Sequence, residues 1–429
     1  MTKKRKASNM KPTPGRNWRS YLENTSYLVW VMAGFAVSYM FFFIGPVFLN
    51  QAHLMQITEY LPRINPIGAD LRQMLSYSDS WVAAGKTPYI GYNLYPPLAS
   101  ILFTPLLAVN FTKAFAILTF ITIASYSFSV FLIPLFLGRE RKTSPLLLLV
   151  FVTGLFSYGF QFELERGQFN VIAMFLCLIS IWIYHYQHKY RFLAYVLFSL
   201  SIQLKVYPAI FIVMLIRDWR DWKNNIRRVL GLTVANIALL FVMGPGVFVD
   251  FLKAIQAQSA NPSIWVGNHS VRSFMMVITN ELRSQNMVTH DYSSLIQITL
   301  FVLIFACLFV IILKAFRENS KGMNMYLMLA CTIGALLIPS VSHDYKLSIL
   351  VAPMALFFHQ RPFAENDGFR MRMAFSLLTF IICIAYSSTL FSFTNKPTLL
   401  GNNLTALMVM LFAVTAFSLL DKSGHKIGD

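Results

Sequence analysis

The feature that most constrains this chain is a series of continuous apolar runs, of which LIQITLFVLIFACLFVIIL at 295–313 is the plainest. Hydrocarbon offers no water to backbone N–H and C=O groups, so only helices and closed barrels can cross it. The runs are continuous rather than alternating, which indicates helices and argues against a barrel. A hydrophobic share of 56%, 39 Phe and a mean hydropathy of +0.56 exclude a soluble chain of 429 residues. The expected fold is all-α: a polytopic helical membrane protein.

The net charge of +18 invites a nucleic-acid reading, and its placement argues against one. Basic residues gather in short segments between apolar runs: KKRK at 3–6, RERK at 139–142, RDWRDWKNNIRR at 217–228, and Arg361 to Arg372. This is the positive-inside pattern, and it puts about 25 of the 36 Lys and Arg in the cytoplasm. The resulting path has about twelve spans, near 27–49, 114–137, 144–160, 169–186, 191–205, 206–216, 229–249, 295–315, 324–340, 346–359, 373–392 and 403–420. Both termini are then cytoplasmic. A basic tail at 1–26 precedes a single transmembrane domain at 27–421, and a short tail follows at 422–429. The first span is too long for a signal-peptide core and is expected to remain as an anchor. Cys177, Cys307, Cys331 and Cys383 all lie inside apolar runs without paired spacing, so they read as small core residues rather than a disulfide frame or zinc site.

Two places strain this path. The run from Leu98 to Val109 is too short to cross and fits a re-entrant or interfacial helix. The short runs at 191–205 and 206–216 meet at LKVYP, which puts Lys205 and Pro208 at membrane depth or on the outer face. A cation there needs a partner.

Polar residues with chemical potential then collect on the extracytoplasmic face. It holds the first outer loop at 50–97, FELERGQFN at 162–170, the Lys205 turn, a long loop at 250–294 and SVSHDYK at 340–346. A transporter would more often spread ionisable groups along the spans near the midplane.

Five blocks carry a resemblance. DLRQMLSYSDSWVAAGKTPYIGYNLYPPLASILFTPL, ERGQFNVIAMFL, LAYVLFSLSIQLKVYPAIFIVMLIRDWR, NPSIWVGNHSVRSF and IPSVSHDYKLSILVAPMAL occur in that order across residues 27–360. In order and topology they resemble glycosyltransferase family 87, membrane enzymes of the GT-C fold similar to the mycobacterial polyprenyl-phosphate-mannose-dependent mannosyltransferases. The resemblance implies transfer of a hexose, mannose foremost, from a polyprenyl-phosphate sugar to an extracytoplasmic glycan or glycolipid. It also implies an aspartate general base in the first outer loop, where Asp70 stands, and a bacterial plasma membrane as the location. A sugar hydroxyl is a poor nucleophile, so a carboxylate must take its proton as it attacks the anomeric carbon. The leaving phosphate calls for cations and donors, and Lys205, His269, Arg272, His343 and Lys346 are the candidates on that face. SVSHDYK departs from the family's pattern of aromatic and His residues after the Ser, so His343 corresponds only loosely.

Each assignment has a plainer alternative. Asp70 precedes a helix-forming stretch and could be a helix N-cap. Asp79, nine residues on, falls on roughly the opposite face of the same helix. Glu163 and Glu165 are candidates for a second acid or for acceptor binding, or else a solvated pair beside Arg166. Gln168 and Asn170 could bind sugar hydroxyls or cap the next span. Lys205 could snorkel to headgroups, and His269 and Arg272 could be interfacial anchors. Trp81, Tyr89, Tyr92, Tyr95 and Trp265 read as an aromatic belt, with a floor under a hexose as the other option. His53 and His290 read as ordinary loop residues. The basic segment at 217–228 reads as an orientation and headgroup-binding segment.

No closely spaced acid pair or DxD motif stands on the outer face, so neither metal nor other cofactor is expected. Membrane lipids, donor and acceptor are the expected partners, and nucleic acid is not. Two other functions stay open from sequence: a polymerase or ligase of undecaprenyl-linked glycans, whose outer loop would crowd arginines beyond Arg272 and Arg283, and a lipid or solute transporter.

Overall fold

The computed structural model describes residues 67–91, 93–137, 145–261, 267–285, 292–318, 322–360, 377–379 and 404–420. The first expected span, residues 50–66, RERK, Arg361 to Arg372, the span at 373–392 apart from 377–379, both tails, Cys383, His53, Tyr92, Trp265 and His290 lie outside the described residues.

Among the described residues the fold is helical throughout. Helix α1 (Ala69–Val82) is followed by α2 (Pro97–Phe103), which tightens into a 3-10 turn at Thr104–Ala108. Helix α3 (Phe111–Ser127) runs through a π-helical turn at Phe128–Leu132 into α4 (Ile133–Leu137). Then come α5 (Pro145–Leu155), α6 (Tyr158–Arg166), α7 (Asn170–Tyr186), α8 (Arg191–Leu204) and a 3-10 segment at Tyr207–Leu215. Helices α9 (Trp222–Leu239), α10 (Pro245–Ala260), α11 (Val271–Ser284) and α12 (Ser293–Glu318) follow. The rest is α13 (Met325–Leu337), a 3-10 segment at Asp344–Leu350, α14 (Val351–Gln360) and α15 (Leu404–Leu420).

Two described columns are long and apolar enough to cross a membrane: Phe111–Leu137 with 27 residues and α12 with 26. They fall where 114–137 and 295–315 were expected. A third arises if the bent pair Leu147–Leu155 and Gly159–Arg166, 47° apart, is one broken span. Phe120, Leu295 and Phe309 on these columns are each more than 60% exposed, an outer surface that suits lipid rather than water. Helix α13 is the centre, with every side chain from Met325 to Leu337 buried. Cys177, Cys307 and Cys331 are buried and free.

Two expectations change. The run at 229–249 is not one helix: Gly244, at φ 98°, turns the chain and Pro245 starts α10. The long outer loop at 250–294 is largely helical, because α10 fills its start and α11 carries VRSFMMVITNELRS with an apolar face of Val271, Phe274, Met275 and Val277 buried. The segment after Lys205 is a 3-10 helix of nine residues, about 18 Å long at 2 Å per residue, and therefore short of a full crossing.

Glycines fix the approach of α6 to α1. Gly68 caps α1 in the left-handed region at φ 72° and donates its N–H to the Glu165 carbonyl at 2.7 Å. Gly167 ends α6 at φ 66°, and a Cβ there would stand 2.9 Å from Leu71 Cβ. Ala at either position meets a strained φ and a close neighbour, Phe115 in the case of Gly68. Gly167→Ala is expected to lose about 1–3 kcal/mol of stability, read as a lower melting temperature in detergent, while Gly231→Ala, in open space inside α9, melts no lower than the wild type.

Candidate active site

The candidate site is built where the N-terminus of α1, the α6–α7 turn, the loop before α2 and the end of α8 meet. Asp70 lies in the first turn of α1, 9% exposed. It caps nothing: Gly68 holds the N-cap position and no side chain caps the helix. Its carboxylate instead forms an ion pair with Arg166 Nη2 and accepts a hydrogen bond from Gln168 Nε2. Gln168 is a relay. Its amide also donates to the Tyr95 hydroxyl at 3.3 Å, and its Oε1 accepts from Lys205 Nζ at 2.7 Å.

Lys205 ends α8 in extended conformation, half-buried, with its ammonium 4.4 Å from the centroids of both the Tyr95 and Phe169 rings. The rings replace part of the ammonium's hydration. Tyr95 is placed by its loop: Asn93 accepts from the Tyr95 N–H and donates to the Pro88 carbonyl, and Tyr89 Oη donates to the Tyr95 carbonyl at 2.7 Å. Its phenol is held well above the ordinary range, first by burial and then by the Asp70 charge, so it is a neutral hydrogen-bonding group.

A second layer lies beneath. Glu163 is fully buried on α6, accepts the Val171 N–H at 2.7 Å and accepts the Ser348 hydroxyl. It thus satisfies one of the free N–H groups at the start of α7, which has no side-chain cap of its own. The contact is possible because α6 lies against the backbone of Asp344–Leu350: a Cβ on Gly159 would stand 3.0 Å from the Asp344 carbonyl oxygen. Asn170 is 1% exposed, and its carbonyl accepts from Tyr207 Oη at 2.7 Å. Lys346 is buried, donates to the Ala335 carbonyl at 2.7 Å and lies 5.0 Å from the Tyr207 ring.

The third wall joins two distant blocks. Asn268 accepts the Ser342 N–H at 2.9 Å and donates to the Ser340 carbonyl at 3.1 Å, while the His269 N–H reaches the Ser342 carbonyl at 2.8 Å. The His269 side chain, fully buried, meets Asp344 Oδ1 at 2.6 Å. Burial raises the Asp344 carboxyl and the His269 partner opposes that rise. His343 is pushed down to about 4, first by burial; the charges bearing on it are Asp70, His269, Arg166 and Lys346. At pH 7 it is neutral, so it can offer a phosphate a hydrogen bond but no charge.

The structure therefore brings Asp70, Gln168 and Lys205 into one contact network, sets Glu163, Asn170 and Lys346 under it, and places His269 and His343 beside it. Arg272 is half-buried in the first turn of α11, and Glu165 is half-buried, its carbonyl engaged by Gly68. Glu163 is not part of a solvated pair. Asp79 is exposed, away from the cluster. Sequence reading passed over Arg166, Ser348, Asp344 and the contact role of Tyr95. The available signal was that an acid at the membrane surface needs a cation, and Arg166 stands two residues from Gln168. Among the described residues no group of three His, Cys, Asp or Glu is placed to hold a metal ion.

Compared with known families, the chain matches the family model of glycosyltransferase family 87 over residues 93–339, more than half its length. No curated protein matches it.

Proposed function

The chain belongs to glycosyltransferase family 87, and from that premise we propose that this membrane glycosyltransferase takes a hexose, most simply mannose, from a polyprenyl-phosphate donor. The acceptor is a hydroxyl of an extracytoplasmic glycan or glycolipid. The protein is read as a GT-C-like bundle of about twelve spans in a bacterial plasma membrane, with cytoplasmic termini. The first outer loop (50–97) and the loop region 250–294 border the site.

One observation carries this reading: a nearly buried carboxylate and a half-buried ammonium are separated by a single amide side chain, Gln168. An inverting displacement needs those two charges on opposite sides of a sugar ring. Asp70 takes the proton of the acceptor hydroxyl as its oxygen attacks the anomeric carbon from one face. The bond to the phosphate oxygen breaks on the other, and Lys205 stabilises the charge that develops on the leaving polyprenyl phosphate. Gln168, which joins the two, would yield its contacts to the sugar hydroxyls. Arg166 holds the carboxylate in position, and the half-buried Tyr95 ring, backed by Phe169, gives the hexose an apolar face.

The test is transfer by membranes containing the chain, supplied with radiolabelled polyprenyl-phosphate mannose, glucose or arabinose and a total lipid and glycan extract. Transfer from one of these lipid phosphates is expected. Lys205→Gln is expected to raise KM for that donor about tenfold or more, as loss of one charged contact to phosphate does. Transfer from a sugar nucleotide alone, with none from any lipid phosphate, would overturn the proposal.

A further inference from the structure

A second polar centre lies at the other end of the helices that carry the site. Gln168, Asn170 and Lys205 stand where α7 begins and α8 ends; the opposite ends are joined by His188–Tyr190 and continue into Arg191. With 17 residues, α7 separates the two centres by about 25 Å, close to the hydrocarbon thickness of roughly 30 Å.

Arginines converge there. Arg191 Nη2 is 3.0 Å from His188 Nδ1, and Arg217 Nη1 is 2.7 Å from His188 Nε2. Arg228 is braced by the Leu215 carbonyl, Asn225 Oδ1 and the Tyr195 hydroxyl. Arg191 and Arg228 both lie against the Tyr184 ring, at 5.6 and 5.1 Å. Among the described residues no carboxylate is within ion-pair distance of these three guanidinium groups. The nearest acids in sequence are turned elsewhere: Asp218 Oδ1 accepts the Arg220 N–H and Asp221 accepts from Asn224.

Among the described residues of this cluster one buried donor is left over, Arg191 Nε. His185, 5% exposed beside the same guanidinium groups, gives its Nε2–H to the Met214 carbonyl at 2.7 Å and adds no donor. Guanidinium groups gathered round one imidazole, with a spare buried N–H, are what a phosphate oxygen satisfies. Large apolar side chains flank the cluster and face outward: Phe192 is 80% exposed, Trp222 59% and Tyr190 51%. Water does not favour such a rim, whereas acyl chains beside a headgroup do.

We propose that Arg191, Arg217 and Arg228, with His188, form a binding site for the phosphate of an anionic phospholipid at the membrane face opposite Asp70. Arg228 supports from its braced position, Arg191 and Arg217 supply the N–H groups that His188 does not engage, and the aromatic rim receives the first acyl carbons. The proposal is independent of the transfer reaction.

The experiment uses the full chain purified in a neutral detergent, with its thermal unfolding followed while dioleoyl phosphatidic acid or phosphatidylglycerol, phosphatidylcholine, or inorganic phosphate is added. Saturable stabilisation by the two anionic lipids and not by phosphatidylcholine is expected. Half-saturation should move about tenfold or more to higher lipid in the double variant Arg191→Gln/Arg217→Gln, a loss of about 1.4 kcal/mol per tenfold. It should stay put in Arg227→Gln, whose side chain is exposed outside the cluster. If the double variant does not fold, Arg217→Lys, which keeps the charge and removes the fork, is read in its place. Equal stabilisation by all lipids, or half-saturation unchanged in these variants, overturns the proposal. Equal saturation by millimolar inorganic phosphate overturns the lipid as its source.

Discussion

Asp70→Asn is expected to lower transfer by about two to four orders of magnitude, the usual worth of a positioned general base, in membranes where the protein is as abundant as the wild type. Asn has nearly the shape of Asp but cannot take a proton from the acceptor. It also keeps only one of the two acceptor atoms that Arg166 and Gln168 now use, so a modest loss of stability accompanies the change. Arg166→Gln separates the two effects, because it breaks the same ion pair and leaves the carboxylate. It is expected to melt lower and still transfer sugar at a rate well above that of Asp70→Asn. A rate for Asp70→Asn within a few-fold of wild type would remove Asp70 from the chemistry and turn attention to Glu165, the half-buried acid on the neighbouring helix.

Glu163→Ala is expected to cost stability on the order of 2–5 kcal/mol, since it leaves two buried donors without acceptors. The Val171 N–H and the Ser348 hydroxyl both lose their acceptor. Glu163 ties the start of α7 to the 3-10 segment at Asp344–Leu350, so the loss should reach Gln168 and Lys205 through the ends of α7 and α8. Glu163→Gln keeps an acceptor oxygen for one donor and is expected to recover most of the stability. Melting in detergent of the two variants side by side checks this; equal melting of Glu163→Ala and wild type would mean the carboxylate is not a structural cap.

The class of this protein was readable because apolar runs at 114–137 and 295–315 admit one solution in lipid, and the structure has helical columns there. The break at Gly244–Pro245 was also written in the chain, as a left-handed turn residue followed by a residue that starts helices, but a window averaging hydropathy over 229–249 hides it. Individual site residues stood out for different reasons: Lys205 as a cation at membrane depth that needed a partner, Asp70 through the family resemblance, and Gln168 as a polar group opening an apolar run. Which partner was not readable. Arg166 meets Asp70 across 96 residues and Ser348 meets Glu163 across 185, separations that no local pattern encodes. Arg166 looked like the companion of its neighbours Glu163 and Glu165, yet the helix turns Glu163 inward and Arg166 toward α1. Tyr95 looked like one aromatic of a belt, and only the loop that positions it shows that its ring carries the Lys205 ammonium.

The stereochemistry of the product tests the central claim most directly. With a polyprenyl-phosphate donor carbon-13 labelled at the anomeric carbon, NMR of the glycan formed by the wild-type protein should show the transferred hexose with the opposite anomeric configuration. That is the result of one displacement with Asp70 as base and Lys205 on the leaving phosphate. The same configuration in donor and product would contradict the account, because one back-side displacement cannot give it.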